Sequence, residues 1–209
     1  MTAQEASGTA PGIVVLPANA VSWEELRTVF GRRGTPAWCQ CQWFKFASRE
    51  FRALDRPARE EHLREQTACG DPDASSTSGV VAFLDGEPAG WCAVEPRTAY
   101  PRLRTSRLVW SGRSEDAADS SVWAVTCFVT RKGFRRRGIG TALAAAAARF
   151  AQERGATAVE GYPLLPHPEG AGRVSSGDLF VGTVRMFESA GFHEVSRPTE
   201  RRAVMRREL

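Results

Sequence analysis

The chain has 209 residues, enough for one domain with a full core and not a number that demands two, so a single α/β domain is expected. Its net charge of +4 is only mildly basic and does not by itself imply a nucleic-acid partner. Five cysteines, an odd number without regular spacing, argue against a disulfide framework and for free thiols in a reducing cytoplasm.

Residues 1–12 are small and polar, without the basic and apolar regions of a secretory signal. They are expected to be flexible, which leaves 13–209 as the domain. No window is long and apolar enough to cross a bilayer. Ile13-Val14-Val15-Leu16 reads as a first strand. Ser22 then caps a helix running to about Arg33, with Glu25 completing a capping box and Gly34 and Pro36 ending it. The run Trp38-Cys39-Gln40-Cys41-Gln42-Trp43-Phe44-Lys45-Phe46 is too aromatic for a solvated loop and should be buried or line something. Asp55 and Pro57 open a second helix from Arg56 to Cys69, and a polar loop follows to Gly79. Val80 to Leu84, the turn Asp85-Gly86-Glu87 and Pro88 to Glu95 make a hairpin. Arg97 to Ser121, basic and then acidic, is expected to be a loop or a short helix.

Val122 to Thr130 has strand chemistry, and the alanine-rich run Ile139 to Gln152 has helix chemistry. Between them stands Arg135-Arg136-Arg137-Gly138-Ile139-Gly140-Thr141, with its glycines where a strand turns into a helix N-terminus. The first N–H groups of a helix lack intrahelical partners and carry the positive end of its dipole, so the turn predicts an anion site. Ile139, Leu143, Ala147 and Phe150 share one helical face, which should pack on a sheet. Thr157 to Tyr162 is a further strand, and the long loop Leu164 to Asp178 is of a kind that is uncommon unless functional. A short helix from Thr183 to Ala190 is closed by Gly191, and Phe192 to Val195 pairs with Ala203 to Arg206. A dinucleotide fingerprint fails for want of a third glycine, and a P-loop for want of Gly-Lys-Ser/Thr.

This order of elements resembles the GNAT superfamily of N-acetyltransferases, whose Arg/Gln-x-x-Gly-x-Gly/Ala motif falls on Arg135, Gly138 and Gly140. The resemblance implies the GNAT fold, an α/β (α+β) architecture with a mixed, mostly antiparallel central sheet flanked by helices. It also implies acetyl-CoA as co-substrate without a metal. Backbone amides of Arg136 to Thr141, Ile139 included, would hold the pyrophosphate, with the side chains of Arg135, Arg136 and Arg137 around it, and the strand through Phe128 and Val129 would pair with the pantetheine arm. Met186-Phe187-Glu188-Ser189-Ala190-Gly191-Phe192 is similar to the family's closing Tyr-Glu-x-x-Gly-Phe signature. Phe187 replaces the tyrosine that commonly protonates the leaving thiolate, so it is assigned to packing against cofactor or core. Cys127-Phe128-Val129, Glu160-Gly161-Tyr162-Pro163 and Phe180-x-Gly182-Thr183-x-x-Met186 look like a branch of small actinobacterial-type members, which indicates no substrate.

Amine acetylation needs a proton acceptor for the ammonium and an N–H donor for the oxyanion. Glu160 is the first choice of base, the alternative being a rim carboxylate paired with an arginine. Glu95 is the second choice, or else a surface strand-end residue. Tyr162 is either the missing proton donor or a tyrosine capping the sheet. Cys127 could carry an acyl group, but a cysteine there is more readily a small buried hydrophobe. Cys39-x-Cys41 lacks the further ligands zinc needs, and His62, His167 and His193 are scattered. The aromatic run would be core or, since the segment after the first helix helps form the family's acceptor site, an aromatic acceptor pocket.

The reading is therefore a cytoplasmic enzyme transferring acetyl from acetyl-CoA to a primary amine by direct attack in a ternary complex. The acceptor is left open among small molecule, peptide and protein, as is a homodimer. No membrane partner is expected, and nucleic acid is disfavoured because no extended basic face forms. The alternative is a non-catalytic module that binds CoA as a sensor or interaction domain.

Overall fold

The computed structural model describes residues 12–165 and 179–209. The expected flexible residues 1–11 and most of the loop Leu164 to Asp178, with His167, lie outside them. The fold is a seven-stranded sheet flanked by helices, with strands β1 (Ile13–Pro17), β2 (Val80–Leu84), β3 (Glu87–Pro96), β4 (Val122–Thr130), β5 (Ala158–Gly161), β6 (His193–Thr199) and β7 (Arg202–Glu208). They stand in the order β1-β2-β3-β4-β5-β7-β6. Only β4 and β5 run parallel, joined by the helix α6 (Ile139–Gln152); the other pairs are antiparallel.

Local chemistry accounts for most element ends. Helix α1 (Trp23–Phe30) starts at the capping box: Ser22 Oγ accepts from Glu25 N at 3.2 Å, and Ser22 N donates to Glu25 Oε2 at 2.7 Å. It stops at Gly31, φ 69°, three residues short of the expected Arg33. Gly34 and Pro36, expected to break the helix, instead sit in the first turn of a short helix α2 (Gly34–Cys39), where proline's missing N–H costs no hydrogen bond. A further helix α3 (Ser48–Ala53) was not signalled by the sequence pattern. In α4 (Arg56–Thr67) Asp55 Oδ1 accepts from Ala58 N at 2.9 Å, and Ala68 in the left-handed region ends it before Cys69. Asp85 and Gly86 carry φ 53° and 81°, the two left-handed residues of the tight hairpin turn between β2 and β3. A short helix α5 (Pro101–Arg104) lies within the mixed segment before β4.

The sheet buries both faces. On one, Ile139, Leu143, Ala147 and Phe150 of α6 pack with Val80, Ala82, Cys92, Val125 and Phe128, as helical spacing predicts. On the other, Leu26, Val29 and Phe30 of α1 and Leu63 of α4 cover Val81, Phe83, Trp91, Ala93, Cys127 and Val129. The last helix α7 (Val184–Ser189) is seated by Phe187, whose ring rests directly on Gly161 in β5, so that a Cβ there would stand inside the ring's van der Waals surface. Gly161→Ala should therefore destabilise the fold by about 2 kcal/mol or more, a Tm drop of roughly 4–8 °C at this size, readable by calorimetry. An unchanged Tm would mean that Phe187 is not clamped to β5.

Candidate active site

Parallel pairing of β4 with β5 covers only Val122 to Val125 against Ala158 to Gly161. From Cys127 to Thr130 the described partners of β4 are all in β3, because β5 ends at Gly161. The second half of β4 therefore presents one backbone edge to a cleft. That cleft is a cavity of about 560 Å³. It is lined by Cys127 to Thr130 of β4, by Arg135, Gly140, Thr183 and Met186, and by Trp38, Cys39, Cys41, Trp43, Phe44 and Phe180.

The glycine turn opens on this cavity. Gly138 is the cap of α6 at φ 80°, and Arg136 also sits at positive φ, 60°. The first intrahelical bond runs from Ala142 N to Gly138 O at 3.0 Å, so the N–H groups of Ile139, Gly140 and Thr141 have no helical acceptor. A Cβ on Gly140 would meet Met186 Sδ at 2.6 Å, so a side chain there would have to displace the end of the methionine. Arg135, Arg136 and Arg137 are exposed around it. Ile139 offers a ligand only its backbone, because its side chain is buried between α6 and the sheet. Of the two packings expected for Phe187, against cofactor or core, the structure shows the core: it is fully buried against Phe128 and Phe192, at ring distances of 5.7 and 5.0 Å, and does not line the cavity. Its neighbour Met186 does.

The three expected catalytic side chains do not converge. Glu160 has no exposed surface and is locked by arginines. Arg113 binds both its oxygens, Arg206 Nη1 lies at 3.1 Å and Arg97 Nη1 at 3.8 Å. Trp110 backs this network beneath Arg97 and Arg113 at 5.1 and 4.8 Å. Of the two roles open for Glu160, the geometry favours the arginine-paired carboxylate, although in the interior rather than at the rim. Arg113 and Arg206 also bind Glu115 and Glu208, so Glu160 lies inside an ion-pair network and not at a free site. Tyr162 donates its hydroxyl to Glu160 Oε2 at 2.8 Å, and burial followed by the Glu160 charge pushes its pKa well above the usual value. Its ring lines a neighbouring cavity of about 190 Å³ that shares Trp43, Phe44, Phe180 and Arg202 with the main one. Glu95 is bound by Ser78 Oγ, the Lys45 ammonium and, at 3.3 Å, the Tyr100 hydroxyl, and it does not line the main cavity.

All five cysteines are free. Cys41 and Cys127, 86 residues apart, bring their Sγ atoms to 2.7 Å on the cavity wall. Two consecutive left-handed residues, Gln40 at φ 49° and Cys41 at φ 54°, turn the chain to reach that position. Burial pushes the Cys39 thiol up to about 11, and the Cys41 thiol followed by burial raises Cys127 well above the ordinary range. Such thiols are protonated at neutral pH and behave as small apolar groups. Among the described residues, no group of three or more His, Cys, Asp and Glu side chains is placed to hold a metal ion.

Sequence reasoning did not assign Phe180, Thr183, Met186 or Arg202 to the site. Phe180, Thr183 and Met186 stand in a motif of the resembling branch, but a motif does not say which side chains face a cleft, and Arg202 carries no local signal.

A model of the acetyltransferase (GNAT) family matches residues 38–162. Among solved structures, a GCN5-related N-acetyltransferase from Kribbella flavida shares 17% identity, with 95% of this chain and 98% of that one covered, at a TM-score of 0.51. A PaiA N-acetyltransferase from Thermoplasma acidophilum, solved in complex with coenzyme A, shares 13% identity over 94% of this chain and 99% of that one at 0.49. No curated protein matches the sequence.

Proposed function

The chain belongs to the acetyltransferase (GNAT) family, and we propose that it transfers the acetyl group of acetyl-CoA to a primary amine by direct attack within a ternary complex. The observation that carries this is the junction of two features: the N–H groups opening α6 and the uncovered edge of β4 line one continuous cleft. Acetyl-CoA supplies an acyl group already activated as a thioester. The N–H groups of Ile139, Gly140 and Thr141, with Arg135, Arg136 and Arg137 around them, hold the pyrophosphate. The β4 edge at Phe128 and Val129 receives the amide-bearing pantetheine arm in the manner of an added strand. A backbone N–H of that edge faces the developing oxyanion. Glu160 and Tyr162 support this edge from the interior as a fixed network, and the amine's proton leaves to water in the cleft. Five free thiols accord with a cytoplasmic enzyme, and among the described residues no helix is long and apolar enough to cross a membrane.

The test is thiol release from acetyl-CoA measured against a panel of primary amines, together with calorimetric CoA binding. Acceptor-dependent release above the hydrolytic background is expected. CoA binding with no acceptor response from any amine would leave the non-catalytic CoA-binding module in its place.

A further inference from the structure

We propose that Cys41 and Cys127 are an oxidation site, at which a hydroperoxide converts the two thiols to a reversible disulfide that fastens the aromatic segment 38–46 to β4. The inference goes beyond the acetyltransferase reading and does not depend on it.

Two fixed stretches of backbone bring the sulfurs together. Cys127 stands inside β4, where its partner across the ladder is Ala93 of β3. Cys41 is held by its neighbours: the buried Gln40 side chain donates to the Ala37 carbonyl at 3.0 Å, and the buried Gln42 side chain donates to the Gln40 carbonyl and to Gln66 Oε1, both at 3.0 Å. Gln66 Nε2 returns a bond to Gln42 Oε1 at 3.1 Å. This clasp keeps Gln40 and Cys41 at φ 49° and 54°, a conformation that residues with a Cβ resist and that persists only where the surroundings enforce it. The enforced turn delivers the sulfur contact at 2.7 Å. A disulfide bond measures about 2.05 Å, so a sulfur shift much shorter than the bond itself closes the gap.

Access selects the oxidant. Both cysteines are 7% exposed and both line the cavity, so a reagent must be small and must arrive through the cleft. Hydrogen peroxide meets that requirement. Cys92 packs on the opposite face of the sheet with α6, and Cys69, just past α4, donates to Thr67 Oγ1 at 3.3 Å. Of the other three thiols, only Cys39 shares the cavity.

The chemistry balances with one peroxide. A thiolate of the pair attacks one peroxide oxygen, the O–O bond breaks, and hydroxide leaves, giving a sulfenic acid. The second sulfur then attacks the first, the S–O bond breaks, and another hydroxide departs. The two thiol protons convert both hydroxides to water, so two thiols are oxidised and one peroxide is reduced. The Cys41 thiol, followed by burial, holds the Cys127 proton in place, which slows the first step, while the second is intramolecular and fast. In a reducing compartment such a bond is transient, because thiol reductants open it again.

The experiment exposes the reduced full chain to hydrogen peroxide and counts thiols by alkylation after denaturation. The expected result is the loss of two of the five thiols, a mass lower by two hydrogens, a peptide pair joined at Cys41 and Cys127, and full reversal by dithiothreitol. Because the bond links residues 86 apart and so restricts the unfolded chain, the oxidised protein should melt at least about 5 °C above the reduced one. Cys41→Ser should keep all its remaining thiols under the same treatment. The peptide map of the wild-type protein decides the pairing without any variant. A thiol count that stays at five, a link through Cys39, a sulfinic acid at Cys41 or Cys127 in place of the disulfide, or an unchanged Tm overturns the proposal. So does a Cys41→Ser protein that loses two thiols as the wild type does.

Discussion

Gly140→Asp should abolish CoA binding while the protein stays folded. Any Cβ at this position meets Met186 Sδ at 2.6 Å, so the new side chain must displace the flexible methionine or enter the cavity. In either place its carboxylate sits among the N–H groups of the first turn of α6, the groups the proposal gives to the pyrophosphate. A negative charge at a helix N-terminus is favourable to the helix by about 0.3–1 kcal/mol, so fold stability changes little while anion affinity is lost. Gly138→Asp reaches the same end differently. It forces a side chain onto φ 80°, at a cost of about 1–2 kcal/mol, and turns the cap itself acidic. Isothermal titration should show CoA affinity falling by at least about 100-fold in both, equivalent to about 2.8 kcal/mol. Retained affinity in both variants would move the cofactor site away from this turn.

Glu160→Gln should act on stability before it acts on chemistry. The substitution keeps the shape but removes the charge facing Arg113, Arg206 and Arg97, whose side chains are 5%, 17% and 1% exposed. Arg113 and Arg206 keep Glu115 and Glu208, but buried Arg97 is left without a carboxylate, and breaking a buried ion pair costs about 3–5 kcal/mol. For a chain of this size that is a Tm drop of roughly 6–20 °C. If Glu160 were also the general base, kcat would fall by orders of magnitude at temperatures where the variant remains fully folded. Thermal melts and steady-state kinetics on the same preparation separate the two.

Much of the architecture was legible because its causes are local. The capping box at Ser22 and Glu25, the two left-handed residues at Asp85 and Gly86, and the alanine-rich face of α6 each act within a few residues, where spacing along the chain equals spacing in space. The places where reading failed have a complementary cause. Pro36 reads as a stop along the chain, yet proline is tolerated in a first helical turn, and only packing decides whether a helix starts there. Phe187 matched a signature position, but its ring turned to Gly161 and the core while Met186 faced the cleft.

The site divides in the same way. The strand-to-helix turn at Arg135 to Thr141 could be read from the chain alone, since the partnerless amides of a helix start and the glycines beside them are consecutive residues. Which carboxylate is free, and which aromatics face a ligand, could not. Glu160 receives its partners from 46 and 47 residues away, and Cys41 meets Cys127 across 86. Whether a glutamate is a base or a buried counter-ion depends on the charges that surround it, and those charges come together only when the sheet brings distant segments side by side.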